Sequence, residues 1–215
     1  WAVLSQGGSE HRLEQAMESL WQKLVDTRLG LVRLFAPPFV RSPGLRGSPD
    51  GASQGTAQTP DATADDVGYI QGYIPGVREN GGQYTHAAVW AAMAFARRGQ
   101  AQRAWALWDM LCPVRHADSP ERIAAYKAEP FVVAADVYTA AGHEGRGGWT
   151  WYTGSAAWMY QFVLGSLLGL RVEGDRLSFQ PLPHPDWTEY AVHYRYRNTY
   201  YHVRVLHAED PQKPD

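Results

Sequence analysis

The sequence predicts a mainly α-helical domain followed by the opening strands of a β domain. Three observations carry that prediction. Apolar residues recur at i, i+3, i+4 and i+7 in the first stretch of chain, the spacing of an amphipathic helix. Alanine-rich and nearly all-apolar runs follow at 84–98 and 155–170. Beyond residue 170 the apolar period drops to two, first at Leu177-Ser178-Phe179 and then through 190–206. Helices that give way to a terminal hairpin suggest an all-α domain capped by a β domain of which only the start is present.

Taken in order, residues 9–28 place Leu13, Ala16, Met17, Leu20, Trp21, Leu24 and Val25 on one helical face, with Ser9 as the expected N-cap. Residues 31–36 read as extended and are halted by Pro37-Pro38. Residues 41–66 hold no aromatic and only one large aliphatic, Leu45, too little apolar surface to offset chain entropy. They read as a disordered insertion rather than a domain linker, because the helix before them is too short to stand alone. Helices are expected at 84–98, stopped by Gly99, and at 102–111, stopped by Pro113, as an antiparallel hairpin. Residues 119–126 open with Ser-Pro-Glu-Arg, a good helix start with proline in the first turn. After Pro130, the apolar run 131–141 also reads as helical. Residues 155–170 are apolar nearly all round, so a helix buried on every side is expected. Arg197-Asn198-Thr199 forms the turn within 190–206.

Composition narrows the partners. The chain has 215 residues, 45% hydrophobic and 20% charged, ordinary for a globular protein with one large core or two modest ones. Twenty basic against 22 acidic residues gives no reason to expect nucleic acid or an anionic membrane. The single cysteine, Cys112, excludes an internal disulfide and reads as a structural thiol in a reducing compartment. A cytoplasmic location is expected, including as the cytoplasmic part of an inner-membrane protein. The start at Trp1 and the end at Asp215 read as those of a piece of a longer polypeptide.

Two glycine-rich loops carry the functional signal. Residues 78–86 (RENGGQYTH) and 145–155 (GRGGWTWYTGS) are rich in hydrogen-bonding and aromatic side chains, and each runs into an apolar helix. Sugars suit such loops, since their hydroxyls take polar partners and their C–H faces take aromatic rings. Thr153-Gly154-Ser155 opens a helix whose first N–H groups and dipole favour an anion, with a plain N-cap as the alternative. His86, in the first turn of its helix, can donate to a phosphate oxygen or serve as a structural group. Arg78 and Glu79 can bind hydroxyls or form a surface ion pair. Tyr73 offers a stacking face or packs beneath its loop. Arg146, Lys127 and Glu129 are less specific, and Asp136, in an apolar run, reads as structural. No metal-ligand spacing occurs and no metal is expected.

The strings GYIQGYIPGVRENGGQYTHA (68–87), EPFVVAADVY (129–138) and GGWTWYTGSA (147–156) resemble glycoside hydrolase family 94. That family includes cellobiose, cellodextrin, chitobiose and β-1,2-oligoglucan phosphorylases, and the phosphorylase-like region of bacterial cyclic β-1,2-glucan synthases. The resemblance spans nearly the whole chain outside 41–66. It implies the C-terminal part of an (α/α)6 barrel in residues 1–170, followed by the start of a C-terminal β-sandwich in 171–215. It also implies inverting phosphorolysis, in which an aspartic acid protonates the glycosidic oxygen while inorganic phosphate attacks the anomeric carbon. Phosphate is then co-substrate and no cofactor is needed.

By position, His86, Thr153 and Gly154 match the family's phosphate contacts, and Tyr73, Arg78 and Glu79 match its sugar subsite on the leaving-group side. The family's catalytic aspartate lies in a Trp-Asn-Asp-like segment absent from this chain, and its phosphate-binding arginine is likewise upstream. The implied partners are a β-linked glucan oligosaccharide, phosphate, the upstream part of the parent polypeptide and, as a further assembly, a homodimer. Two other readings stand beside this one. An (α/α)6 hydrolase would use Glu79 with Asp136 or Glu129, and a non-catalytic sugar-binding module would use Trp149, Trp151 and Tyr73.

Overall fold

The computed structural model describes residues 1–40 and 68–206, so the expected insertion at 41–66 lies outside the described residues. Helix α1 (Glu10–Leu24) ends in a short hairpin of β1 (Val25–Asp26) and β2 (Leu31–Val32). Ser9 holds the N-cap position of α1, but its side chain caps nothing; its carbonyl accepts from Leu13 instead. Asp26 closes the hairpin, taking the Leu29 N–H at 3.0 Å and pairing with Arg33 at 2.6 Å.

Strand β3 (Gln83–Tyr84) leads directly into helix α2 (Thr85–Arg97), and α3 (Ala101–Leu111) returns antiparallel to it after Gly99. This hairpin is the centre of the core. Ala88, Val89, Ala92 and Phe95 line one face of α2, all buried, and Phe95 meets the Trp21 ring of α1 edge-on at 5.6 Å. Ala104, Trp105, Leu107 and Leu111 supply the facing stripe of α3. The small residues of α2 allow close helix packing, while Phe95 and Leu107 fill the volume between. Helix α4 (Pro120–Tyr126) is opened by proline in its first turn and by Ser119, whose hydroxyl accepts from the Arg122 N–H at 3.3 Å.

The apolar run at 131–141 is not a helix. It is turns and extended chain around strand β4 (Asp136–Val137), which pairs antiparallel with β3. Its backbone groups bond to distant segments: Ala135 N–H donates to Trp149 O, Tyr138 N–H to Arg146 O, and Thr139 N–H to Gly76 O at 2.8 Å. Those bonds replace the i to i−4 ladder that a helix would need. Gly76 makes the close approach possible, because its φ is +88° and an added Cβ would lie 2.6 Å from Ala140 Cα.

Helix α5 (Thr153–Gln161) runs on through a π turn, Phe162–Leu167. It is not buried all round. Ser155, Met159, Phe162 and Leu167 face the core, whereas Tyr160 is 61% exposed. After it, β5 (Leu170–Glu173) pairs with β6 (Arg176–Phe179), and β7 (Glu189–Tyr196) with β8 (Thr199–Leu206) across the two-residue turn Arg197-Asn198. Among the described residues these are two separate hairpins. They dock on the helices through Trp105 Nε1–H donating to Leu182 O at 3.2 Å and the Tyr190 hydroxyl donating to Leu168 O. The helical part and the β part therefore follow the predicted order.

Candidate functional site

Two chain crossings build the site. The β3–β4 pairing aligns Tyr84 with Asp136, and Gly148 N–H donates to the Asp136 carbonyl at 2.8 Å. The loop before α2 and the loop before α5 are thereby fastened to the same two-residue strand. Within the first loop, Asn80 is fully buried and anchors the turn. Its side chain accepts from Phe39 N–H at 2.7 Å and donates to Phe39 O at 3.0 Å and Tyr73 O at 2.8 Å. Gln83, also buried, accepts from Val32 N–H and donates to the Thr85 hydroxyl.

Tyr73, Arg78 and Glu79 are brought together, and Trp149 joins them. The Arg78 guanidinium lies 5.4 Å from the Tyr73 ring centre and 4.7 Å from that of Trp149. Its Nε is 3.6 Å from Glu79 Oε2. The pair is not a solvated surface ion pair, since the two side chains are only 18% and 16% exposed. Arg78 also holds a left-handed backbone, φ 49°, unusual for a residue with a Cβ. Burial works against its charge, but Tyr73, Glu79, Asp136 and Tyr152 together raise its pKa above the ordinary arginine value.

His86, Thr153 and Gly154 form a second group. A Cβ placed on Gly154 would sit 3.4 Å from His86 Nδ1, so the imidazole borders the first turn of α5. Tyr152 occupies the N-cap position, and no side chain caps this helix. The Ser155 hydroxyl donates to Tyr152 O rather than accepting an amide. The unpaired first-turn amides are what an anion would need. The His86 ring packs edge-on to Trp90 at 4.4 Å and lies 6.0 Å from Trp158. Among the described residues, His86 Nε2 and Trp90 Nε1 are both buried without a hydrogen-bond partner. Tyr152 meets Trp149 at 5.7 Å and precedes Thr153, so the two groups are continuous.

Asp136 lies at their junction and is 1% exposed. Its Oδ1 accepts the Trp149 N–H at 3.0 Å, while among the described residues Oδ2 has no hydrogen-bond partner. Burial raises its pKa, the Trp149 amide and Arg78 oppose the rise, and Glu79 adds to it. The hydrolase pairing of Glu79 with Asp136 or Glu129 gains little here, because Asp136 is enclosed and Glu129 accepts from Trp151 Nε1 at 2.8 Å. Arg146 and Lys127 are exposed. Among the described residues no group of three or more His, Cys, Asp or Glu is placed to hold a metal. A cavity of about 890 Å3 opens elsewhere, between Met93, Arg171 and Tyr194, and shares only Trp158 with the wall around His86.

Sequence reasoning did not single out Trp90 and Trp158 as neighbours of His86, although the i, i+4 spacing of His86 and Trp90 on one helix was available. It read Asp136 as structural. The joint between the loops depends on strand pairing, which no local pattern announces.

Known proteins match the whole chain. The Glycosyl hydrolase 94 superfamily catalytic domain matches residues 1–169, and the Glycosyl hydrolase family 65 C-terminal domain matches residues 170–210. The cyclic β-(1,2)-glucan synthase NdvB of Rhizobium meliloti (strain 1021) is 42% identical over 214 residues, covering 100% of this chain and 7% of its own length. The N,N'-diacetylchitobiose phosphorylase of Vibrio furnissii is 31% identical over 99% of this chain and 23% of its own length. The 3-O-β-D-glucopyranosyl-β-D-glucuronide phosphorylase of Paenibacillus borealis is 26% identical over 96% of this chain and 24% of its own length. The chain thus spans less than a quarter of each of these relatives. With its helical region matched from end to end, the chain belongs to the glycosyl hydrolase 94 superfamily.

Proposed function

We propose that the chain is the C-terminal part of an inverting glycoside phosphorylase or cyclic β-1,2-glucan synthase, acting on β-glucan oligosaccharides with inorganic phosphate as co-substrate. In this reading residues 1–170 close an (α/α)6 barrel, 171–215 begin a β-sandwich, and the whole works in the cytoplasm. The observation that carries it is the approach of His86 Nδ1 to the uncapped start of α5, joined through the Tyr152–Trp149 contact to the cluster around Arg78.

Phosphate would bind between the His86 imidazole and the amides of Thr153 and Gly154, with the Thr153 hydroxyl as a further donor. There a fixed set of donors and a helix dipole stabilise anionic charge at no cost in reorganisation. The sugar on the leaving-group side would lie against Tyr73, with its hydroxyls on Arg78 and Glu79. Glu79 Oε2 and Arg78 Nε face each other at 3.6 Å, too far for a hydrogen bond, and among the described residues neither has another hydrogen-bond partner, which leaves both able to take a sugar hydroxyl. Phosphate is itself the nucleophile, so the protein's task is to hold it in line with the anomeric carbon. The general acid that protonates the departing oxygen is assigned to the upstream polypeptide, as is a further phosphate-binding arginine.

The isolated chain should therefore bind but not turn over. Release of glucose 1-phosphate from β-1,2-oligoglucans is the measurement. Clear activity from this chain alone would overturn the assignment of the acid to another segment. A saccharide affinity indifferent to phosphate and to His86→Ala would instead favour a sugar-binding module.

A further inference from the structure

We propose that Asp136 is a positioning residue of the sugar pocket, whose buried carboxylate sets the Trp149 backbone and through it the platform on which the Arg78 guanidinium rests. This rests on the reading of Arg78 as a sugar contact. Three contacts carry it. Asp136 Oδ1 accepts the Trp149 N–H at 3.0 Å. The Asp136 carbonyl accepts the Gly148 N–H at 2.8 Å, so side chain and main chain of one residue grip two successive amides. Trp149 then presents its ring 4.7 Å from the Arg78 guanidinium carbon.

The fit is tight enough to constrain the sequence. A Cβ on Gly148 would lie 2.6 Å from Asp136 Cγ, so the carboxylate fills the space a side chain at 148 would need. Asp136 is also tied to the opposite loop by its backbone pairing with Tyr84. It therefore joins the strand that precedes the His86 helix to the loop that carries Trp149. The charged groups acting on it are Arg78, which favours its anion, and Glu79, which opposes it. Asp136 is 1% exposed, and among the described residues its Oδ2 has no hydrogen-bond partner, so its fixed contacts are those to the Trp149 and Gly148 amides.

Asp136→Ala removes the acceptor and frees Trp149. Asp136→Asn keeps an amide oxygen where Oδ1 stands and removes the charge, which makes it the conservative rescue. The chain itself is used, with a β-1,2-linked gluco-oligosaccharide and inorganic phosphate titrated separately by calorimetry, and the Trp149 amide followed by 15N NMR from pH 3 to 8. The expected result has three parts. Asp136→Ala weakens saccharide binding by about tenfold while phosphate affinity stays within about twofold, as the loss of one buried hydrogen bond implies. Asp136→Asn recovers most of that loss. The Trp149 amide shift titrates in wild type and is flat in Asp136→Asn.

Equal weakening of both ligands by Asp136→Ala, or a wild-type Trp149 amide that does not titrate, overturns the inference. If Asp136→Ala does not fold, Asp136→Asn and the wild-type titration still decide it. Failure of Arg78→Ala to change saccharide affinity, with a titrating Trp149 amide, would instead sink the sugar-contact reading of Arg78 and leave the Asp136 clamp standing.

Discussion

Gly154→Ala separates the anion site from the fold more cleanly than any deletion. Gly154 is the second residue of α5, exposed, and has no positive φ to protect. A methyl there meets only His86, at 3.4 Å from Nδ1 and 3.6 Å from Cε1, which is ordinary van der Waals contact. Alanine is also the better helix former, by up to about 1 kcal/mol. The variant should accordingly melt at the wild-type temperature or up to roughly 2–4 °C above it. The same methyl takes up part of the space between the imidazole and the helix start. On the proposed assignment, a phosphate oxygen bound there would lose one or more hydrogen bonds of the charged kind, each worth about 1.5–3 kcal/mol. Phosphate affinity should fall by roughly 10- to 150-fold. Calorimetric titration of inorganic phosphate, paired with a thermal melt on the same sample, reads both quantities. Unchanged phosphate affinity refutes the assignment of Gly154 to the anion site. A marked drop in melting temperature refutes the packing on which the argument rests.

Three further outcomes are expected. His86→Ala should weaken phosphate by about tenfold or more and leave β-1,2-glucan oligosaccharide binding within about twofold, as titrations of each ligand would show. Asp136 is neutral more readily in the folded chain than in the unfolded one, so its contribution to stability is present below its unfolded pKa and is lost as pH rises through the raised folded value. Asp136→Asn should therefore gain in melting temperature relative to wild type as pH rises from the carboxylate range to neutrality; a difference that stays flat counts against it. Phe95→Ala, fully buried against Trp21, should cost about 3–5 kcal/mol in denaturant melts, and a loss below about 1 kcal/mol would mean that the core is not centred on α2.

What the sequence disclosed followed from how local each signal was. The hairpin of α2 and α3 was readable because Gly99 and Pro113 punctuate two periodic runs. The pairing of β7 with β8 was readable because alternation and a turn lie in one continuous segment. The run at 131–141 misled because its apolar residues fit a helix equally well, and the bonds that decide otherwise go to Gly76, Arg146 and Trp149. The half-exposed face of α5 was hidden for a similar reason, since an apolar helix does not state which neighbours it has. At the site, Tyr73, Arg78 and Glu79 share one short loop, so their grouping was visible early. The sequence groups Trp149 with Tyr73 only in the sugar-binding-module reading; that it meets Arg78, and that Asp136 sits behind it, follows from the crossing of β3 and β4.

That crossing has a thermodynamic consequence. Because one pair of residues fastens both loops, ordering the Arg78 side and ordering the His86 side draw on the same set of backbone hydrogen bonds. Two ligands that each tighten such a joint are coupled, and the coupling is reciprocal by necessity. Whatever factor phosphate confers on saccharide affinity, saccharide must confer on phosphate affinity. If phosphate and saccharide bind as proposed, the two-residue strand Asp136–Val137 is where occupancy of one side would be felt by the other.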